Sequence, residues 1–105
     1  MCQTRVLCSR ESIVVSQCLH CQVLFIWHHN LFLSFSPKKF TAFCDAVNQL
    51  DYDQCAFPFP DGEERAIIAS PNPEISFTFT YDEWRSFCEV LSEASYMREV
   101  YALMV

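Results

Sequence analysis

The chain has 105 residues and a formal charge of −6; about half of it is apolar, ten residues are Phe and one is Gly. This length carries one hydrophobic core, the composition excludes a disordered or fibrous chain, and Gly62 alone cannot build the multi-glycine loop that cradles phosphates. The charge is uneven, with four Lys/Arg against two acids in residues 1–50 and three Arg against eleven acids in residues 51–105; it lacks the basic footprint of nucleic-acid binding and leaves an acidic half suited to solvent or to a basic partner.

The opening stretch "MCQTRVLCSRES" has no apolar core of a secretory signal and no small-residue cleavage site, and no apolar run in the chain is long enough to span a bilayer. A cytoplasmic protein without membrane contact is expected, in which the seven cysteines stay reduced. "RVLCS" and "IVVSQ", turning at "RES", read as a short hairpin that lengthens a sheet at its N-terminal end.

Next comes "CLHC". Cys18 and Cys21 have the two-residue spacing that lets two thiolates reach one tetrahedral ion, and zinc needs four such ligands. Cys2, Cys8 and His20 are the nearest further candidates, with His28, His29 and Cys55 beyond them, but no second pair stands at a recognisable spacing. The alternative is that these cysteines pack as small apolar residues. A redox role is disfavoured, because a reactive CxxC sits at a helix N-terminus after a strand and here both flanks read as strand.

"QVLFIW" then turns through His28, His29 and Asn30, expected as exposed loop residues, into the alternating strand "LFLSF". Ser36 followed by Pro37 caps a helix whose Phe40, Phe43, Cys44, Val47 and Leu50 form one stripe. Lys38 and Lys39 in its first turn oppose the helix dipole. The segment "DYDQCAFPFPDG" holds prolines that disfavour helix and reads as a linker or extended edge. "RAIIAS" turns through Pro71, Asn72 and Pro73 into "ISFTF", and Thr80 with Glu83 fits a capping box ahead of a helix striped with Trp84, Phe87, Cys88 and Leu91. The closing "SEASYMREVYALMV" continues that helix or forms another, with Met97, Tyr101 and Met104 on a second stripe.

Residues 31–47 laid over 75–91, an offset of 44 positions, match in class through strand, cap and helix: Phe35 with Phe79, Ser36 with Thr80, Phe40 with Trp84, Phe43 with Phe87, Cys44 with Cys88 and Asp45 with Glu89. An internal repeat of ββα units is expected, 22–50 and 65–104, joined by a 51–64 linker in a single 1–105 domain.

Met1-Cys2, Cys18-x-x-Cys21, the aromatic hairpin, the amphipathic helix and the "DYDQ" to "FPFP" linker with a second strand and helix together resemble a family of short uncharacterised bacterial proteins, classed as a domain of unknown function. The resemblance covers most of the chain. It implies a cytosolic bacterial protein in which Cys2, Cys18 and Cys21 act together, and no activity; His20 and Cys8 are outside its pattern.

These readings converge on an α+β fold: a mostly antiparallel sheet from two ββα units in pseudo-twofold relation, with two helices on one face. No catalytic constellation is visible. The function expected is a small non-enzymatic binding module without cofactor, its Met97, Tyr101 and Met104 buried in a homodimer contact or against the sheet edge, with another protein as a further partner; the alternative is a zinc-binding or thiol-based protein centred on "CLHC".

Overall fold

The computed structural model describes residues 3–104. Alternation of apolar and polar residues produces a meander of β1 (Thr4–Arg10), β2 (Ile13–Cys18), β3 (Leu24–His28) and β4 (Leu31–Phe35), each antiparallel to the next. Helix α1 (Pro37–Asn48) follows, then a single helical turn α2 (Tyr52–Cys55), a second antiparallel sheet of β5 (Ala56–Pro58), β6 (Glu64–Ala69) and β7 (Ser76–Phe79), and the long helix α3 (Tyr81–Ala102). The fold is α+β, as its alternating strands and striped helices require.

The strands divide between two sheets instead of joining in one. The segment expected as a linker or extended edge supplies β5, which pairs along β6 and occupies the edge through which β6 could have joined the first sheet. Side chains make the junction: His28 from β3 lies against Phe77 and Phe79 of β7, at ring-centroid distances of 6.3 and 5.5 Å. The prolines of that segment do not keep it free of helix, because α2 is complete before Pro58; Asp51 caps it by accepting from the Asp53 N–H. At Gly62 the backbone adopts φ 87°, a conformation open to glycine without strain.

Both main helices begin where the sequence places their caps. The Lys39 N–H donates to Ser36 Oγ at 3.2 Å, with Pro37 in the first turn; Thr80 and Glu83 form a reciprocal capping box. The closing segment continues α3, which at 22 residues is about 33 Å long and packs along β1 and β2 as well as on the second sheet and α1.

The core is one connected cluster. Phe87 of α3 is its hub, fully buried, with ring centroids 4.6 Å from Phe79, 5.2 Å from Phe77 and 6.2 Å from Phe43. Phe43, its counterpart in the aligned segments, is only half-buried, because it stands where α1 meets the rim between the sheets. Phe87→Ala should therefore cost about 3 to 5 kcal/mol, and Phe43→Ala clearly less. Chemical denaturation of the two variants checks the order; equal losses would contradict it.

Candidate functional site

The "CLHC" segment forms the turn between β2 and β3. Its backbone closes through the Cys18 N–H to the Val23 carbonyl at 2.9 Å and the Gln22 N–H to the Cys18 carbonyl at 3.2 Å, with Gln22 at φ 67°. Two amides then point at one sulfur: the N–H groups of His20 and Cys21 each donate to Cys18 Sγ at 3.4 Å. Gln17 and Gln22, which the sequence did not single out, brace the turn: Gln17 Nε2 donates to the Gln22 carbonyl and Gln22 Nε2 to the Leu19 carbonyl. Only the spacing of the two glutamines about a turn could have suggested this.

Cys18 is buried while Cys21 and the His20 side chain are exposed. Cys2 lies outside the described residues. Cys8 does not join the turn: it pairs with Val15 while Cys18 pairs with Thr4, so about 10 Å of strand separates the two rungs. Its Sγ instead donates to Glu93 Oε2 at 2.7 Å, and burial first, then Glu93, push its thiol up to about 11. Among the described residues no three His, Cys, Asp or Glu side chains gather as a metal ion would need. Cys55 sits half-buried in α2 against the core. Cys44 packs in the core, and burial pushes its thiol up; Cys88 is half-buried against it, and burial followed by Glu89 pushes its thiol up to about 11.

Beside the turn a cleft of about 710 Å³ opens between β1, β2 and the end of α3, lined by Arg5, Gln17, Cys18, Arg98 and Tyr101 among others. The Arg5 guanidinium lies 4.0 Å from the Tyr101 ring centroid, a cation–π contact that holds the helix end to the edge strand. Met97 and Tyr101, expected at a dimer contact or against the sheet edge, are partly buried against this chain's own core, whereas Met104 is 71% exposed. Lys38 and Lys39 are exposed at the start of α1.

The more unusual surface is the outer face of the first sheet. Register places Val14, Trp27 and Phe32 side by side across β2, β3 and β4, and Phe25 joins them with its ring 5.2 Å from Phe32. Val6, Ser9, Ser16 and Ser34 share the face, and none of these described residues carries a charge. Trp27 is 52% and Phe32 60% exposed. The indole is fixed by its own N–H, which donates to the His29 carbonyl at 2.7 Å. Alternation sets Phe32 opposite to Leu31, Leu33 and Phe35, but composition cannot say which face of a strand is covered.

Comparison with family models, curated proteins and solved structures finds no match to this chain. Among the described residues no helix is long and apolar enough to cross a membrane.

His28 departs from its expected place in an exposed loop. It ends β3 on the inner face, half-buried, with Nδ1 buried and without a hydrogen-bond partner. Burial and then the neighbouring His29 hold it below the ordinary histidine value of 6.5, against the pull of the Ser12 backbone and Glu83. Because the fold binds this proton less well than the unfolded chain does, its contribution to stability is complete above pH 6.5 and falls as pH drops through that value towards the folded one. The depressed Asp61 carboxyl acts only further down, from 3.8. Melting temperatures should thus decline just below pH 6.5, and less steeply in His28→Phe; parallel profiles would show that another group is responsible.

Proposed function

We propose that this protein is a small non-enzymatic binding module whose contact surface is the outer face of the first sheet, and that its partner is another protein with an apolar, uncharged face. The observation that carries the reading is the cross-strand row of Val14, Trp27 and Phe32 on a face without a single charge. A chain of net charge −6 has ample polar surface to expose, so a contiguous apolar patch kept clear of charge is a feature of interaction sites. Trp is the residue most often found to anchor such contacts. Here its indole is already immobilised by the hydrogen bond to the His29 carbonyl, which lowers the ordering cost of binding.

The folded protein should bind an apolar fluorescent probe, anilinonaphthalene sulfonate, with a change in Trp27 emission. Trp27→Ser with Phe32→Ser should lose most of that binding while its melting temperature stays close to wild type, since both side chains already face solvent. A folded wild type that ignores the probe, or a double variant that binds it unchanged, refutes the outer-face reading.

A second reading, a thiolate metal site at the "CLHC" turn, is supported by the two N–H groups directed at Cys18 Sγ. It requires two further ligands beside Cys18 and Cys21, and Cys2 is the one that the family resemblance supplies. Structural zinc contributes about 10 to 16 kcal/mol of apparent binding energy, so zinc-loaded protein should lose stability sharply on chelation, and Cys18→Ser and Cys2→Ser should each abolish zinc uptake. Reduced protein that takes up no zinc from solution counts against this second reading and leaves the first intact.

A further inference from the structure

The two sheets have four edges, and three are guarded in ways that commonly prevent strands from pairing with other chains. At β1 there is a bulge between Val6 and Cys8, and the strand carries Arg5 and Arg10. Strand β5 is three residues long and ends in Pro58. Strand β7 is four residues long and is preceded by Pro71 and Pro73. The edge formed by β4 is different: its five residues, LFLSF, include no charge, no proline and no bulge, and among the described residues it pairs with β3 alone.

We infer that β4 is a docking edge, and that its occupant is β4 of a second copy of this chain, paired antiparallel about a two-fold axis through Leu33. Several observations favour a copy over an unrelated strand. The pair His28 and Leu31 closes the two-residue turn between β3 and β4, so Leu31, Leu33 and Phe35 hydrogen-bond inward to β3 and the backbone groups of Phe32 and Ser34 point outward. Antiparallel pairing about Leu33 sets Phe32 of one copy opposite Ser34 of the other, so the outward N–H and C=O groups of both strands meet in register. The same operation sets Leu31 opposite Phe35, and Leu33 opposite itself, on the inner face. Leu31 and Leu33 are only half-buried within one chain, whereas their strand neighbour Phe35 is buried, so a second β4 completes cover that a single chain leaves unfinished. Closed two-fold pairing of this kind uses one self-complementary patch and leaves no new free edge at β4. The two four-stranded sheets then run on as one, and the aromatic rows containing Trp27 and Phe32 continue across the axis.

The contact uses the strand edge and not the outer face, so it stands apart from the binding surface proposed above. It is also distinct from an interface through Met97, Tyr101 and Met104 on α3.

Sedimentation of the full chain tests it. Wild type should show twice the 12.2 kDa chain mass as concentration rises. Ser34→Pro removes an outward N–H without touching the bonds to β3, and Leu33→Lys opposes two positive charges on the axis; each should lose the dimer while keeping the wild-type circular dichroism. Trp27→Ser should remain dimeric. Wild type that stays at the monomer mass throughout, or a dimer that persists in both folded edge variants, overturns the inference. Should both edge variants fail to fold, hydrogen exchange on wild type decides: the Phe32 and Ser34 amides should gain protection with protein concentration, and protection independent of concentration overturns the inference.

Discussion

Phe87 stands where everything else in the molecule meets. Its ring touches Phe77 and Phe79 of the second sheet and Phe43 of α1, while Phe43 passes the contact on to Phe35 of the first sheet at 5.2 Å. Among the described residues no backbone ladder joins the two sheets, so their relative placement depends on this chain of aromatic contacts, on His28 wedged beside it, and on α3, which packs on both sheets. Aromatic rings suit the task because each buries a large area and holds tilted neighbours in preferred geometry. A ring lost here would loosen both sheets together, which a lost rung of either ladder would not do.

The same arrangement decides what is left over. Helix α3 lies along β1 and β2 and takes Met97 and Tyr101 into the chain's own core. The inner faces are thereby largely covered; Val6, Trp27 and Phe32 remain exposed on the far side of the first sheet, while Phe57, Ile67, Leu103 and Met104 are exposed elsewhere. An antiparallel sheet covered on one side ordinarily shows polar residues on the other. Here serines accompany Val14, Phe25, Trp27 and Phe32, and no charged residue intervenes, so that side is suited to a partner as well as to water.

The cysteines are distributed by the same geometry. Cys44 lies in the core and Cys88 half-buried against it, Cys8 donates to Glu93, and burial raises the thiol of each. In the β2–β3 turn the sulfur of Cys18 accepts instead from the backbone N–H groups of His20 and Cys21. Arg5, Arg98 and Glu99 line the adjoining cleft.

Sequence alone determined what depends on neighbours within a few residues. The period-two runs became strands, Ser36–Pro37 and Thr80–Glu83 became caps, and the Phe40, Cys44 and Val47 stripe turned inward. These follow from the geometry of a single strand or helix, which repeats every two or 3.6 residues. Tertiary structure decided the rest. Whether the strands form one sheet or two depended on β5 pairing with β6, a choice between competing edges that no single strand encodes. Placing His28 in a seam and Cys8 beside Glu93 required α3 and β7 to pack against strands far away in the chain. Which aromatics are core and which are surface was equally hidden: Trp27 and Ile26 are adjacent apolar residues, and only the layer that covers one side of the sheet distinguishes them.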